Sequence, residues 1–302
     1  MKKATLMTAA LGLLLACAGA LLGQGVPPGK PEDVGMSSKH LAYLDRIIQE
    51  ALERKDFPGG VLLVTRKGKV VYRKAFGQSQ WVPEPKPMTA DMIFDMASVT
   101  KPVATATSVM ILVEQGKVRL WEKVKTYVPD FAPYLLEKGI PDEDARLYHL
   151  LTHTSGLPPY TDPKEAEKQL GNPCSTDDLV NKVIARIPKE SPAGKQFTYS
   201  CLNYITLAYI IQKTTGQTIA EFSAENIFKP LGMKRTLYNP PPEFLPLCVP
   251  TLVVDGQPLR GIVHDPLARL QGGVSGNAGL FSTADDLAVF AQMMLRGGEW
   301  NG

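Results

Sequence analysis

The apolar stretch between Ser98 and Gly116 constrains the fold most. Val103, Ala106, Met110, Ile111 and Val113 recur at helical spacing, and Gly116 follows as a C-terminal stop. A helix with so apolar a face is stable only where other elements cover it, so the chain has to be built around this segment. At its head stands Phe94-Asp-Met-Ala-Ser-Val-Thr-Lys-Pro102, which contains the one Ser-x-x-Lys of the sequence, Ser98 and Lys101. Pro102 suits the first turn, where few intrahelical N–H bonds are lost.

Residues three apart on a helix share a face, so the Lys101 amine is expected beside the Ser98 hydroxyl. A serine is a poor nucleophile until a neighbouring base takes its proton. A helix N-terminus adds backbone N–H groups and a dipole that favour the negative charge developing as a hydroxyl attacks a carbonyl. The chemistry implied is acyl transfer. About one Ser-x-x-Lys is expected by chance in a chain of this length and composition, so the surrounding sequence has to carry the assignment.

The chain has 302 residues, 44% hydrophobic and 21% charged, enough for one large domain with a substantial core. Met1-Lys-Lys3, an apolar run from Leu6 to Ala16 and small residues around Cys17 to Ala20 have the layout of a secretory signal, assigned to residues 1–24. Leu14-Leu-Ala-Cys17 reads as a lipoprotein cleavage box that would make Cys17 a lipid-bearing membrane tether; a cut after Ala20 is the alternative. Either way the product is exported, periplasmic or membrane-anchored.

Removing Lys2 and Lys3 from 33 basic residues leaves 31 against 30 acidic ones, interspersed along the chain, so no nucleic-acid surface is expected. If Cys17 is lipidated, Cys174, Cys201 and Cys248 remain, an odd number that allows one disulfide.

Gly and Pro mark residues 25–35 as a linker, and the folded domain is expected over 36–302. Leu41, Leu44, Ile47, Ile48, Ala51 and Leu52 predict an amphipathic helix from Ser37 to Lys55, capped by Ser37 or Ser38. Gly60–Thr65 and Val70–Phe76 predict a hairpin across Arg66-Lys-Gly-Lys69. From about 117 to 248 the sequence is rich in Pro and short helical stretches, notably Asp177–Arg186 and Tyr204–Thr214, and reads as a helical insertion. Strand-like sequence returns at Thr251–Val254. The Gly-rich run Gln271–Gly279 reads as a turn, and Ser282 or Thr283 caps a last helix reaching about Arg296.

A second chemical candidate is Phe197-Thr-Tyr-Ser-Cys-Leu-Asn-Tyr204. A tyrosine near a lysine can have its phenol pKa lowered and pass a proton between nucleophile and leaving group, which makes Tyr199 the residue of interest.

Taken together, the Ser98 and Tyr199 segments resemble the serine penicillin-recognising family of class C beta-lactamases, DD-peptidases and carboxylesterases. Gly116-Lys-Val-Arg-Leu120, His149-Leu-Leu-Thr-His-Thr-Ser-Gly-Leu157, Pro192-Ala-Gly-Lys195, Phe228-Lys-Pro-Leu-Gly-Met233 and Gly279-Leu-Phe-Ser-Thr-Ala-Asp-Asp-Leu287 carry the likeness in order. It implies an α/β (α+β) fold of the beta-lactamase/transpeptidase type, an antiparallel sheet flanked by helices with a mostly helical inserted subdomain. It further implies a serine hydrolase of an ester or amide, small or peptidoglycan-like, with no metal or organic cofactor. Ser98 would be the nucleophile, Lys101 its activating partner and Tyr199 the general acid and base, with the Ser98 N–H forming half of an oxyanion hole. Cys201, Asn203, His153 and Ser155 are expected to line the site.

Two departures qualify the likeness. The family's second box is commonly Tyr-x-Asn, whereas Tyr199-Ser-Cys201 puts a thiol, a weak donor and acceptor, where an amide would be. Tight recognition of penicillin-like amides is therefore in question, which favours an esterase-like activity or a catalytically impaired binding homologue. No copy of the third box, Lys-Thr-Gly or His-Thr-Gly, stands in a suitable place, so the final strands and helix are expected to be missing. A zinc site on His149 and His153, spaced i, i+4 on a helix, with His264-Asp265 as further ligands, is a remote alternative. Ser282-x-x-Asp285 and Thr283-x-x-Asp286 are helix starts rather than a carboxylate pair.

Overall fold

The computed structural model describes residues 25–254 and 256–302. The expected signal and the Cys17 tether lie outside these residues. Among the described residues no helix is long and apolar enough to cross a membrane.

The first elements follow the hydrophobic periods closely. Ser37 caps a short helix, α1 (Ser38–Leu41), by accepting the His40 N–H, and α2 (Tyr43–Glu53) continues in the same direction. Strands β1 (Gly59–Arg66) and β2 (Lys69–Gln80) pair antiparallel, joined by Lys67 and Gly68. Both turn residues have positive φ, at 48° and 72°, the two-residue turn whose twist matches a right-handed hairpin. β3 (Lys86–Pro87) adds to the far edge of β2.

Residues 25–35 depart from the expected linker. Gly29 N–H donates to the Val70 carbonyl and Val70 N–H to the Pro27 carbonyl, so this segment lies along β2. Val34 is buried with Leu41 and Val71 in a small core of its own. The Gly and Pro content that suggests a flexible tether here serves an extended segment that borrows backbone partners from a strand.

A second sheet places the functional segment. β4 (Phe94–Asp95), β5 (Leu237–Tyr238) and β8 (Leu280–Ser282) form it in the order β4-β8-β5, both neighbours antiparallel to β8. β6 (Val253–Val254) and β7 (Gln257–Pro258) form a separate small hairpin. Because β5 returns to this sheet at residue 237, the helical insertion ends earlier than its expected boundary near 248. A strand of two residues leaves too short a pattern to read.

The helices pack mainly on one another, with α2 and the last helix also against the β1–β2 sheet. Lys101–Ala106 is wound as a π-helix and passes into α3 (Thr107–Glu114), after which Gly116 adopts φ 68°. Then come α4 (Leu147–Leu151), α5 (Pro163–Leu170), α6 (Cys201–Thr215), α7 (Ile219–Ser223), α8 (Pro266–Leu270) and α9 (Ala284–Leu295), whose N-cap Thr283 accepts the Asp286 N–H. α6 is buried without interruption from Leu202 to Ile211. It is thus the central post of the fold, apolar on every side, and the main core surrounds it together with Val109, Leu112, Leu147, Leu150 and Leu267. The three cysteines in the described residues are free, so the optional disulfide is not made; Cys174 and Cys248 are buried thiols.

Among the described residues, one buried amine outside the Ser98 segment has no carboxylate partner. Lys189 is 8% exposed, its Nζ donating to the Ile187 carbonyl at 3.0 Å and lying 4.0 Å from the Phe131 ring centroid. Burial pushes its amine down to about 7. Between there and the ordinary lysine value of about 10.4 the unfolded chain binds the extra proton, so stability rises with pH across that interval. After allowance for the attraction of the Phe131 ring, Lys189→Met is expected to stabilise the protein by on the order of 3 kcal/mol at pH 7. The gain shrinks as pH approaches 10. Urea unfolding at pH 7 and pH 9.5 measures it, and a gain equal at both pH values contradicts the assignment.

Candidate active site

Ser98 sits on a turn held from two sides. On one side β4 pairs with β8, and Met96 N–H donates to the Leu280 carbonyl at 2.8 Å. On the other, the Asp95 side chain, 1% exposed, accepts three N–H groups: those of Ala97 (2.9 Å) and His264 (2.9 Å) from the backbone, and the His264 ring through Nδ1 (3.0 Å). Ala97, held between these anchors, adopts φ 44°, a region that a non-glycine residue enters only under constraint. The Ser98 hydroxyl therefore stands on an exposed turn at the head of a buried helix.

Lys101 is nearly fully buried, and its amine bonds go to two specific atoms. Nζ donates to Ser98 Oγ at 2.9 Å and to the Asn277 carbonyl at 3.0 Å. The Ser-x-x-Lys spacing thus makes the contact that it predicts, although the backbone from Ala97 to Ala106 runs through a 3₁₀ turn and a π-helix rather than a regular α-helix. Two hydroxyls on the same face, Thr100 and Thr105, bond Leu280 N–H (3.1 Å) and the Gly276 carbonyl (2.8 Å). The Lys101 amine lies 4.9 Å from the ring centroid of Tyr199 and 5.9 Å from that of Tyr204.

Tyr199 is 45% exposed and lies on the segment entering α6. The block His153–Pro159 straps that segment down: Thr198 N–H donates to the His153 carbonyl (2.9 Å), Ser200 Oγ to the Pro158 carbonyl (2.6 Å) and Cys201 N–H to the Pro159 carbonyl (2.9 Å). Gly156 makes the strap's bend at φ 81°, where a Cβ would stand 2.1 Å from the Ser191 carbonyl oxygen.

The remaining expected site residues divide into two layers. His153 lies under Tyr199, ring centroids 4.4 Å apart. Ser155 and Asn203 are fully buried and face each other, Ser155 Oγ donating to Asn203 Oδ1 at 2.5 Å. They support the site from beneath rather than lining it, because α6 begins at Cys201 and turns Asn203 into the core. Cys201, the first helical residue, is half-buried.

The zinc alternative loses its premise. α4 ends at Leu151, and His153 has φ 58°, so the two imidazoles do not share a helix face. His149 Nδ1 accepts the Arg146 N–H and His153 Nδ1 the Ser200 N–H. His264 Nδ1 is bonded to Asp95. Among the described residues no three His, Cys, Asp or Glu side chains converge on one point.

The Beta-lactamase family pattern matches residues 44–301. The chain belongs to the beta-lactamase family. An N-acetylmuramyl-L-alanine amidase of Bacillus subtilis (strain 168) is 34% identical, with 89% of this chain and 66% of the relative covered. A putative D-alanyl-D-alanine carboxypeptidase of Escherichia coli (strain K12) is 31% identical, covering 89% and 67%. The chain thus spans about two thirds of the length of these relatives. Among solved structures, a class C beta-lactamase superposes with TM-score 0.69 at 21% identity over 87% of this chain and 67% of that one. EstCE1, a hydrolase with promiscuous acyltransferase activity, gives 0.67 at 24% over 84% and 71%. These neighbours show the fold that the ordered blocks imply.

Within this beta-lactamase-family site, sequence reasoning missed Asp95, Thr100, Thr105, His264 (read only as a zinc ligand) and Asn277. The available signal was polar residues in apolar company: Thr100 and Thr105 on the face of a buried helix, and Ser275 and Asn277 inside the glycine-rich run. Asp95→Ala would leave the Ala97 N–H and the His264 ring without an acceptor, and is expected to cost about 3 kcal/mol. His264→Ala, at the half-exposed end of the pair, is expected to cost about 1 kcal/mol. Urea unfolding of both variants checks the order; equal costs would show that the carboxylate does not carry the turn.

Proposed function

We propose that the chain is an exported serine hydrolase that cleaves an ester or amide through an acyl-enzyme on Ser98. The 2.9 Å contact between Lys101 Nζ and Ser98 Oγ, with the Tyr199 ring beside the same amine, carries this reading. Ser98 Oγ attacks the substrate carbonyl and its proton passes to Lys101, with the Ser98 N–H stabilising the oxyanion. As the bond to the leaving group breaks, Tyr199 supplies the proton that the departing oxygen or nitrogen takes up. Water then adds to the acyl carbon and gives a proton back to Tyr199, while Lys101 returns its proton to Ser98 Oγ as the acyl bond breaks.

The names of the relatives support a peptidoglycan-type substrate, a D-alanyl peptide or a muramyl amide; the signal-like sequence of residues 1–24 motivates export, with Cys17 as a lipid tether. Cys201 in place of an amide weakens the hold on a substrate peptide bond and shifts preference toward esters. The same substitution favours a second reading, a binding homologue that acylates without turning over.

Labelling with a fluorophosphonate and with a fluorescent penicillin tests the assignment. Wild type should label and Ser98→Ala should not, while Lys101→Ala should slow labelling by about 100-fold or more. Equal labelling of wild type and Ser98→Ala sinks the proposal. Cys201→Asn should raise the rate on amides relative to nitrophenyl esters by about tenfold, the worth of one neutral hydrogen bond. Labelling by the fluorophosphonate without Ser98-dependent turnover of a nitrophenyl ester would favour the binding homologue.

A further inference from the structure

We propose that His153 is the positioning residue of Tyr199: a neutral imidazole whose Nδ1 lone pair fixes the backbone on either side of the tyrosine and so holds the phenol beside Lys101. The inference rests on the reading of Tyr199 as the proton donor to the leaving group.

Three observations converge on it. First, His153 binds both neighbours of Tyr199 in sequence. Its carbonyl accepts the Thr198 N–H at 2.9 Å and its Nδ1 accepts the Ser200 N–H at 3.1 Å, while its ring packs against the Tyr199 ring at 4.4 Å and 35°. A histidine that merely filled space would have no reason to take up the two backbone donors flanking one exposed tyrosine.

Second, the proton position follows from a chain of donors running one way. Leu157 N–H donates to Ser155 Oγ (3.2 Å), Ser155 Oγ to Asn203 Oδ1 (2.5 Å), and Asn203 Nδ2 points at His153 Nδ1 (3.4 Å). An Asn carbonyl that accepts from Ser155 leaves only its NH₂ for the imidazole, so Nδ1 is the acceptor for both Asn203 and Ser200 and the ring proton resides on Nε2. Protonating Nδ1 would set an N–H against two other N–H groups.

Third, the surroundings oppose a positive charge. Burial, then the neighbouring Lys101 amine, lower the tendency of His153 to take a proton. The titratable groups around the ring are Lys101 from the π-helix, Tyr199 from the loop and Tyr204 from α6, and among the described residues no carboxylate bonds the imidazole. The left-handed φ of 58° at His153 aims its carbonyl and its ring at the same segment, and asparagine tolerates that conformation well.

Leaving-group dependence separates this role from a structural one. A misplaced general acid harms a substrate whose leaving group needs a proton and spares one whose leaving group does not. His153→Ala is expected to lower the single-turnover acylation rate on an alkyl ester by about 100-fold and on a p-nitrophenyl ester by less than about tenfold, with substrate binding little changed. His153→Asn, whose carbonyl can replace the Nδ1 acceptor, should recover most of the alkyl-ester rate. In a Tyr199→Phe background, His153→Ala should add less than about threefold, because the residue acts through the phenol already removed. Thermal unfolding of each variant confirms that it is folded. Equal losses on both esters, no recovery by Asn, or full additivity with Tyr199→Phe overturns the proposal while leaving Ser98-dependent hydrolysis intact. Activity that survives Ser98→Ala overturns the hydrolase reading beneath it.

Discussion

The attachment of the Ser98 helix to the glycine-rich segment before β8 is the constraint on which the rest of the structure depends. Lys101 Nζ, Thr105 Oγ1 and Thr100 Oγ1 meet the carbonyls of Asn277 and Gly276 and the N–H of Leu280 along one line. An amine as buried as Lys101 is tolerated only with polar partners, and water cannot reach it to supply them. The segment can come this close because Gly276 carries no side chain: a Cβ there would stand 2.0 Å from the Tyr204 carbonyl oxygen and 2.8 Å from the Ala208 Cβ. Gly276 therefore wedges the segment between the Ser98 helix and α6. One missing side chain lets three elements meet at the site.

A second attachment, made by different parts of the chain, brings in Tyr199. The strap His153–Pro159 uses main-chain carbonyls to fix the entry to α6, and α6 itself cannot shift because it is buried from Leu202 to Ile211. Ser98 and Lys101 are thus held by the sheet, the Tyr199 phenol by the helical insertion, and their meeting point is the Lys101 amine with Ser98 on one side and the Tyr199 ring on the other. Side chains that arrive from separately braced elements keep their spacing without a ligand to organise them, the arrangement that preorganised electrostatics requires.

The parts of this arrangement that are legible in the sequence are those with a period or a fixed spacing. The hairpin from β1 to β2, the existence of the helix following Ser98 and the cap at Thr283 follow from local rules, although that helix buries Val103, Ala104, Val109 and Leu112 and exposes Met110, which the apolar spacing places inside; Ser98 to Lys101 is a distance of three residues that survives even the change from α to π winding. Tyr199 is recognisable through its neighbours. What stays hidden depends on contacts far apart in sequence: Asp95 reaches His264, and Asn277 offers Lys101 a backbone carbonyl that any residue type possesses. Ser155 and Asn203 lie beneath the Ser98–Tyr199 cluster, and their burial follows from where α6 begins, two residues after Tyr199. Strand β5 and the docked segment 25–35 escape because two residues, or a run of Pro and Gly, carry no alternating pattern.

The strained turn before Ser98 is best understood through the two anchors that impose it. Ala97 at φ 44° gives up on the order of 1 kcal/mol relative to an ordinary conformation. Without that bend the chain leaving β4 would continue along β8 and carry Ser98 into the sheet; with it, the chain reverses and the hydroxyl is set at the surface while Lys101, one turn later, dives into the interior. The Asp95 carboxylate compensates the bend by accepting the Ala97 N–H that the turn frees, and the two His264 donors keep that buried charge satisfied. A loop segment remote in sequence therefore stabilises the conformation in which a surface hydroxyl and a buried amine are 2.9 Å apart, which joins a solvent-exposed oxygen to an amine in low-dielectric surroundings.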